Sequence, residues 1–324
     1  MSQKVVLYYA PGSYYSQKVF LSLFEKGIEF DEHIINILAE EQNAEWYLKI
    51  NSWGEVPVLK LGDTYYTESE NIIDVVDSTF HSGPRLVPDV ETELGADVRH
   101  LRELLDDIPV DVITYGVSAH RKYITNYEDR PWLINRFTRK RIDSSWTARE
   151  DEYRRQLLTC KPELRECFEK KLGRSSRRHA RVLDENDVGK CLDNLEPVFD
   201  KLEERIQKTA KENESGQETW LFGPEFTAAD ITLAVLMIRL TMVGVSRRFF
   251  SIEKRNGVFD YYIRMNKKPT IIKAKEKMYT MTGIVVRQKL RAAGKVTLKI
   301  GAVIALLGIG YLGCKEISKI LSKD

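Results

Sequence analysis

The first 80 residues alternate between short apolar runs and amphipathic stretches, which is typical of an α/β domain. In chain order, the pattern predicts a strand at Val5–Tyr9, a helix at Ser16–Lys26, a strand at Ile28–Ile35, a short helix at Trp46–Ile50, strands at 56–61 and 64–67 around the turn dipeptide Gly62-Asp63, and a helix at Ser69–Phe80. The first domain is therefore predicted to have the order β-α-β-α-β-β-α.

Helical periodicity dominates the following part of the chain. It begins near Glu91, continues toward His120, and returns at the apolar run Ile231–Ile238. Thr227 and Asp230 stand immediately before that run with the S/T-x-x-D spacing that caps a helix N-terminus. The second domain is therefore predicted to be all-α, over residues 90–283.

About 60 residues between Arg121 and Val182 form an insertion that a compact helical domain does not need. The segment is basic, with a net charge of +8 over residues 131–181. Neighbouring charges of opposite sign predict two helices within it, at Arg149–Cys160 and Glu163–Leu172. We expect these helices to be exposed to solvent rather than to form a dedicated contact surface.

The C-terminus carries an uncharged apolar run of 15 residues, Ile300–Cys314. A helix that spans a bilayer normally needs about 20 residues. Lys299 and Lys315 extend the run, because their long stems can place the ammonium groups at the two interfaces. We therefore expect a transmembrane helix with its core at 300–314, a basic juxtamembrane segment at 284–299, and preceding domains that face the cytosol. The alternative is a buried terminal helix of the second domain.

Chain length and charge refine this outline. A chain of 324 residues accommodates two domains, the first expected at residues 1–83. The net charge of +2 hides a polarised chain, because residues 1–83 carry −8 and residues 284–324 carry +6. The basic segments lack a nucleic-acid-binding module and interleaved aromatic residues, so no nucleic-acid partner is predicted. Four scattered cysteines and five scattered histidines predict a reducing compartment and no metal site.

Three motifs resemble those of glutathione transferases. Asn51–Leu59 reads N-S-W-G-E-V-P-V-L, similar to the family's N-x-x-G-x-V-P-x-L segment, and Glu68-Ser69 is similar to its E-S pair. Trp220–Ala234 resembles the core motif of the family's helical domain. The resemblance implies a glutathione transferase fold that is α/β plus all-α. A thioredoxin-like N-terminal domain precedes a helical C-terminal domain, here with the insertion at about 121–182 and the C-terminal transmembrane helix.

The resemblance also implies a site for glutathione, as ligand or cosubstrate. Pro57 takes the place of the family's cis-proline, which turns the N–H and C=O of Val56 toward the peptide of glutathione. Ser69 and the N–H groups at the start of the third helix favour the γ-glutamyl carboxylate, and Glu68 places a negative charge near its ammonium group. From the residues alone, Ser69 and Glu68 are explained equally well as the cap and the favourable N-terminal charge of that helix.

The chemical centre that the family implies lies between the first strand and the first helix, where a hydroxyl or thiol faces the sulfur of glutathione. The corresponding segment here is Ser13-Tyr14-Tyr15-Ser16, so Ser13, Tyr14 and Ser16 are the catalytic candidates, with Ser13 and Tyr14 preferred. No cysteine lies in this segment, which disfavours glutaredoxin-like disulfide exchange. A capping Ser16 and two packed tyrosines are the competing structural interpretation.

Over essentially its whole length the chain is similar to the family of ganglioside-induced differentiation-associated protein 1, with further matches at Ser16–Val19, Arg85–Asp89 and His100–Asp106. The resemblance implies a tail-anchored, single-pass protein of the outer mitochondrial membrane. Such a protein would regulate mitochondrial fission, network shape and redox balance, chiefly by binding a ligand or partner and with weak or absent transferase activity. Its implied partners are the membrane, fission or cytoskeletal proteins, and a second copy forming a homodimer.

Two other functions remain open at this point. One is an active transferase that conjugates glutathione to an electrophile, with Ser13 or Tyr14 activating the thiol. The other is an import adaptor that resembles metaxins, outer-membrane proteins that also use transferase-like folds. Partner identity would distinguish the adaptor from the regulator.

Overall fold

A computed structural model of the chain describes residues 4–37, 39–125, 136–213 and 216–278, with side chains outside 136–145. The residues up to Ala274 belong to one compact unit.

A four-stranded sheet forms the centre of the N-terminal part. Its strands are β1 (Val5–Tyr9), β2 (Asp31–Ile34), β3 (Val58–Leu61) and β4 (Thr64–Tyr66). Their spatial order is β2-β1-β3-β4, with β1 parallel to β2 and the other two pairs antiparallel. Tyr8 pairs with Val58, so the segment after β1 and the segment before β3 meet at one edge of the sheet.

The helices fall into two groups. Helices α1 (Tyr14–Glu25), α2 (Glu45–Leu48) and α3 (Ser69–Thr79) accompany the sheet, and α1 packs against α3. The second group comprises α4 (Glu93–Asp106), α5 (Val110–Ala119), α6 (Arg136–Thr159), α7 (Pro162–Leu183), α8 (Glu185–Glu212), α9 (Ala228–Met242), α10 (Ser246–Phe249) and α11 (Asn256–Met265). The predicted thioredoxin-like and helical parts of the transferase fold are therefore confirmed.

Helix α9 is the centre of the helical part. Its residues Ala228–Leu240 are all buried, and it packs against both α1 and α4. The predicted capping box is present, because the Thr227 side chain accepts a bond from the backbone of Asp230 while the Asp230 carboxylate accepts one from the Thr227 N–H. This box satisfies donors that would otherwise be buried without partners.

The basic insertion is an antiparallel pair formed by α6 and α7, both longer than the sequence pattern predicts. Tyr153 and Phe168 are buried in one apolar cluster with Leu48 of α2. Arg149 of α6 also pairs with Glu40 at 2.9 Å. The expectation of solvent-exposed helices is therefore met on one face only. The other face packs on the sheet domain, because a few apolar residues form a stripe among many charged ones.

The transmembrane helix is the part of the predicted fold class that is wrong. In the part of the chain described by the structure, no helix is long and apolar enough to cross a bilayer. The predicted span at 300–314 itself lies outside the described residues, as does the juxtamembrane segment at 284–299. The sequence already shows the physical weakness of that prediction, since a 15-residue run with four glycines falls short of the roughly 20 residues that a spanning helix needs.

Candidate functional site

The loop between β1 and α1 presents one accessible hydroxyl. Ser13 is the N-cap of α1, and its Oγ accepts a bond from the N–H of Ser16 at 3.3 Å. Because Ser13 supplies the cap, α1 begins two residues before the predicted start. Ser13 remains half-buried, whereas Ser16 is fully buried and its Oγ accepts a bond from the N–H of Ala10 at 3.4 Å. Of the two serines, only Ser13 is placed where an incoming ligand can reach it.

Tyr14 and Tyr15 follow Ser13 and differ in exposure. The Tyr14 side chain is buried, and among the described residues its hydroxyl has no hydrogen-bond partner. Tyr15 is exposed and meets the Tyr14 ring edge to face. Burial, assisted by the charge of Asp106, raises the pKa of Tyr14, and burial with the charge of Asp111 raises the pKa of Tyr15 to about 12. Both phenols are therefore neutral hydrogen-bond donors at physiological pH.

The segment before β3 is held open by the residues of the N-x-x-G-x-V-P motif. Asn51 is buried and donates from Nδ2 to the carbonyl of Glu55 at 3.0 Å, and the Tyr47 hydroxyl donates to the same carbonyl at 2.7 Å. Gly54 has a φ of 54°, and a Cβ there would lie 2.4 Å from a backbone oxygen, so only glycine fits. The motif thus fixes the backbone immediately before Val56.

Val56 presents an unpaired stretch of backbone. The Val56–Pro57 peptide bond is cis, as the resemblance implies. Within the described residues, neither the N–H nor the C=O of Val56 is hydrogen bonded. The side chain of Val56 is half-buried and Pro57 is buried. An extended peptide therefore finds one free donor and one free acceptor on the same residue.

Glu68 and Ser69 mark the start of α3. Glu68 has a φ of 63° and an exposed side chain, and Ser69 is the first helical residue and is buried. Partial burial and the charge of Glu55 raise the pKa of Glu68, with Arg174 acting in the opposite direction. The region around Glu68 thus combines two carboxylates with one guanidinium.

A charged network lies behind these residues and connects three helices. Lys18 of α1 is fully buried and bridges Glu70 and Asp106, each at 2.6 Å. Arg102 of α4 bridges Glu70 and Asp74, each at 2.7 Å. Because Glu70 follows Ser69 directly, this network fixes the N-terminal turn of α3 relative to α1 and α4.

The insertion reaches the same edge of the sheet domain. Arg174 of α7 pairs with Glu55 and lies over the Trp53 ring at 5.5 Å from its centroid. The thiol of Cys167 donates to the carbonyl of Ser52 at 2.8 Å. Helix α7 therefore forms a wall beside Val56, and the charges of Arg174 and Glu55 lie at its rim.

The structure brings together most of the predicted site residues. Ser13 follows β1, while Val56 and Pro57 precede β3 at the same edge, and Ser69 is tied to that edge through Glu70 and Lys18. Ser16 lies inside, where it binds the Ala10 backbone. Sequence reasoning missed Glu55, Arg174 and the buried Arg239. Only Arg239 has a sequence signal, because it is the single charged residue in the apolar stretch 231–245.

The described residues contain no cluster of three or more His, Cys, Asp or Glu side chains suited to a metal ion.

Comparison with protein families supports the assignment of the two parts. The N-terminal domain model of glutathione S-transferases matches residues 7–84, and the C-terminal domain model matches residues 150–264. The first match contains Ser13, Val56, Pro57, Glu68 and Ser69.

Known relatives and solved structures extend the comparison over most of the chain. Human ganglioside-induced differentiation-associated protein 1-like 1 is 29% identical over 273 residues, which cover 82% of this chain and 72% of the relative. Glutathione S-transferase TCHQD of Arabidopsis thaliana is 21% identical over 268 residues, covering 82% and 86%. The β-etherase LigF of Sphingobium sp. strain SYK-6 has the same fold, with a TM-score of 0.57, 21% identity, and coverage of 85% of this chain and 99% of that one. The chain belongs to the glutathione S-transferase family, whose two domain models together match more than half of it, and over most of its length it is similar to ganglioside-induced differentiation-associated protein 1-like 1.

Proposed function

We propose that the protein binds glutathione, or a γ-glutamyl peptide of the same kind, at the sheet edge where β1 ends and β3 begins. The observation that carries the proposal is the free N–H and C=O of Val56 beside the cis Val56–Pro57 bond. An extended peptide can pair with such groups as an added strand does.

The charges near α3 support the same ligand. The N–H groups at the start of α3, with the Ser69 hydroxyl, favour a carboxylate. The carboxylate of Glu68, with Glu55 nearby, favours an ammonium group. The γ-glutamyl end of glutathione carries both groups on one carbon, so it matches both features at once.

Replacing Glu68 with glutamine, or Ser69 with alanine, is expected to weaken glutathione binding about tenfold or more. Each change removes one charge-assisted hydrogen bond, worth about 1.5–3 kcal/mol. Isothermal titration calorimetry of the full-length protein with glutathione measures the effect.

Matched controls exist for both variants. Glu29→Gln changes an exposed carboxylate of the same domain, and Ser78→Ala removes a hydroxyl near the other end of α3. Both controls should bind glutathione as the wild type does. Unchanged binding in Glu68→Gln and Ser69→Ala would place the ligand elsewhere, and a wild type that binds no glutathione up to low-millimolar concentration would refute the ligand itself.

A transferase reaction is the second candidate function, favoured by the half-buried Ser13 hydroxyl at the N-terminus of α1. If the protein conjugates glutathione to an aryl halide, Ser13→Ala should lower kcat/KM about 10- to 100-fold, because one donor to the developing thiolate is lost. The Ser78→Ala protein is the control. Conjugation no faster than the uncatalysed reaction would leave ligand binding as the function.

In the cell, we propose a role at the outer mitochondrial membrane in fission, network shape and redox balance, with fission or cytoskeletal proteins as partners. Similarity to ganglioside-induced differentiation-associated protein 1-like 1 supports this proposal, and the proposed ligand site offers a means of sensing glutathione. Live imaging of cells that lack the protein tests it. An N-terminally tagged wild type should coincide with mitochondria and restore the network, whereas the Glu68→Gln variant should localise but not restore it. A diffuse wild-type protein, or equal rescue by the variant, would contradict the proposal.

A further inference from the structure

Arg239 is a buried guanidinium that points at the β1–α1 loop. It lies on α9 and is only 7% exposed. One terminal nitrogen donates to the carbonyl of Gly12 at 2.9 Å and to Oε1 of Gln17 at 3.3 Å. Gln17 in turn donates to the carbonyl of Pro11 at 2.9 Å. Arg239 and Gln17 therefore hold the backbone carbonyls of the two residues that precede Ser13, and they do so from the buried side of the loop.

Within the part of the chain that the structure describes, no carboxylate matches the positive charge of Arg239. Two other arginines of similar burial are paired, since Arg102 contacts Glu70 and Asp74 and Arg255 contacts Glu196 and Asp200. Among the described residues Arg239 has no such partner, and its Nε has no hydrogen-bond acceptor. Burial lowers the pKa of Arg239, as expected for a cation without a counter-charge.

Two tyrosine side chains face Arg239 from the neighbouring helices. Tyr14 of α1 and Tyr115 of α5 are the titratable side chains that act on it. Asp106 and Asp111, the acidic groups that act on Tyr14 and Tyr15, are already engaged, because Asp106 pairs with Lys18 and Asp111 with Arg178 at 2.7 Å. A neutral donor would be enough to hold a backbone carbonyl in place. A buried charge without a counter-charge, by contrast, raises the free energy of the folded protein. The charge therefore points to an anion supplied from outside the chain.

We propose that Arg239 is a positioning residue whose fixed positive charge stabilises an anionic sulfur of the ligand at the Ser13 loop. The inference rests on the proposed glutathione site. In this step the S–H bond of the bound thiol breaks, both electrons stay on sulfur, and the proton passes to solvent water. Ser13 faces the sulfur at the surface of the loop, and Arg239 supplies the charge from the buried side of the loop.

The first test follows ionisation of the bound thiol by its ultraviolet thiolate absorbance as a function of pH. In Arg239→Gln the pKa of bound glutathione should rise by about one unit or more, which is roughly a tenfold loss of thiolate at neutral pH. Arg239→Lys should restore most of the ionisation. Arg264→Gln is the control, since Arg264 also donates to a backbone carbonyl, that of Thr219 at 2.9 Å, on another part of the fold.

The second measurement separates charge from loop structure. S-methylglutathione has no thiol to ionise, so its affinity should be equal in wild type and Arg239→Gln. An equal loss for both ligands, or an unchanged thiol pKa, would overturn the inference and leave Arg239 as a structural residue.

A third measurement uses the wild type alone and does not depend on variant folding. Glutathione sulfonate, with a permanent negative charge at sulfur, should bind about tenfold or more tightly than S-methylglutathione. Equal affinities would overturn the inference while leaving the proposed function intact. Absence of binding by all three ligands would overturn both.

Discussion

Replacing Asp230 with alanine is expected to destabilise the folded protein by about 3–5 kcal/mol, which is large for one substitution. Asp230 is fully buried and accepts four hydrogen bonds, from the N–H of Leu221, from the N–H and hydroxyl of Thr227, and from the hydroxyl of Tyr261, all between 2.8 and 2.9 Å. Alanine leaves all four donors without an acceptor inside the core. Chemical denaturation followed by circular dichroism measures the change in the free energy of unfolding.

Two further variants serve as controls, one for the loss of an exposed carboxylate and one for the loss of the cap hydroxyl alone. Asp260→Ala removes an exposed carboxylate of α11 and should change the unfolding free energy by less than about 0.5 kcal/mol. Thr227→Ala removes one cap hydroxyl and should cost about 1–2 kcal/mol, because Asp230 keeps its other partners. A loss below about 1 kcal/mol in Asp230→Ala would show that the network around Tyr261 and Leu221 does not stabilise the fold as described.

The fold was predictable from sequence where local chemistry decides the structure. The Thr227–Asp230 spacing predicted the capping box, and the turn Gly62-Asp63 predicted the β3–β4 hairpin, because both depend on neighbouring residues only. The packing of the insertion was not predictable. Tyr153 and Phe168 are few among many charges, and their burial depends on Leu48, which is more than 100 residues away in the chain.

In the candidate site too, local structure was predictable from sequence and long-range contacts were not. The role of the motif residues from Asn51 to Pro57 could be predicted from sequence, because they fix the conformation of the backbone within their own segment. Lys18 is different, since a lysine in an amphipathic helix is usually exposed and only the fold brings Glu70 and Asp106 to it. Arg174 and Glu55 likewise meet only through tertiary packing. Long-range charge pairing is thus the part of the site that sequence patterns do not contain.

Replacing Lys18 with methionine is expected to destabilise the protein by about 3 kcal/mol at neutral pH. The change leaves the carboxylates of Glu70 and Asp106 near each other without the cation that bridges them, and breaking a buried pair typically costs 3–5 kcal/mol. The lower figure applies because water reaches Glu70 and Asp106, which are 27% and 38% exposed. Lys49→Met, which removes an exposed pair with Glu45 at 3.3 Å, should have little effect.

The loss of stability in Lys18→Met is expected to depend on pH. Burial raises the pKa of Glu70, but Lys18 and Arg102 outweigh it and lower the pKa in the native protein. A lowered native pKa contributes stability above the ordinary pKa of glutamate, and that contribution is lost as the pH falls. In Lys18→Met, Glu70 keeps Arg102 but loses the other cation that lowers its pKa, so its native pKa lies closer to the ordinary value and less stability depends on its ionisation. The difference in unfolding free energy between wild type and variant should therefore shrink from pH 7 to about pH 4.

The double variant Lys18→Met/Asp106→Asn separates unpaired charge from lost packing, because it also removes the charge of Asp106, which Lys18 contacts at 2.6 Å. It should be more stable than Lys18→Met alone at neutral pH, because Glu70 keeps its pairing with Arg102 and Asp106 no longer carries the charge that Lys18 offset. Since Glu70 adjoins Ser69, both variants should also bind glutathione more weakly than the wild type. A stability loss in Lys18→Met that stays constant with pH would mean that lost packing around the lysine stem, not unpaired charge, is its cause.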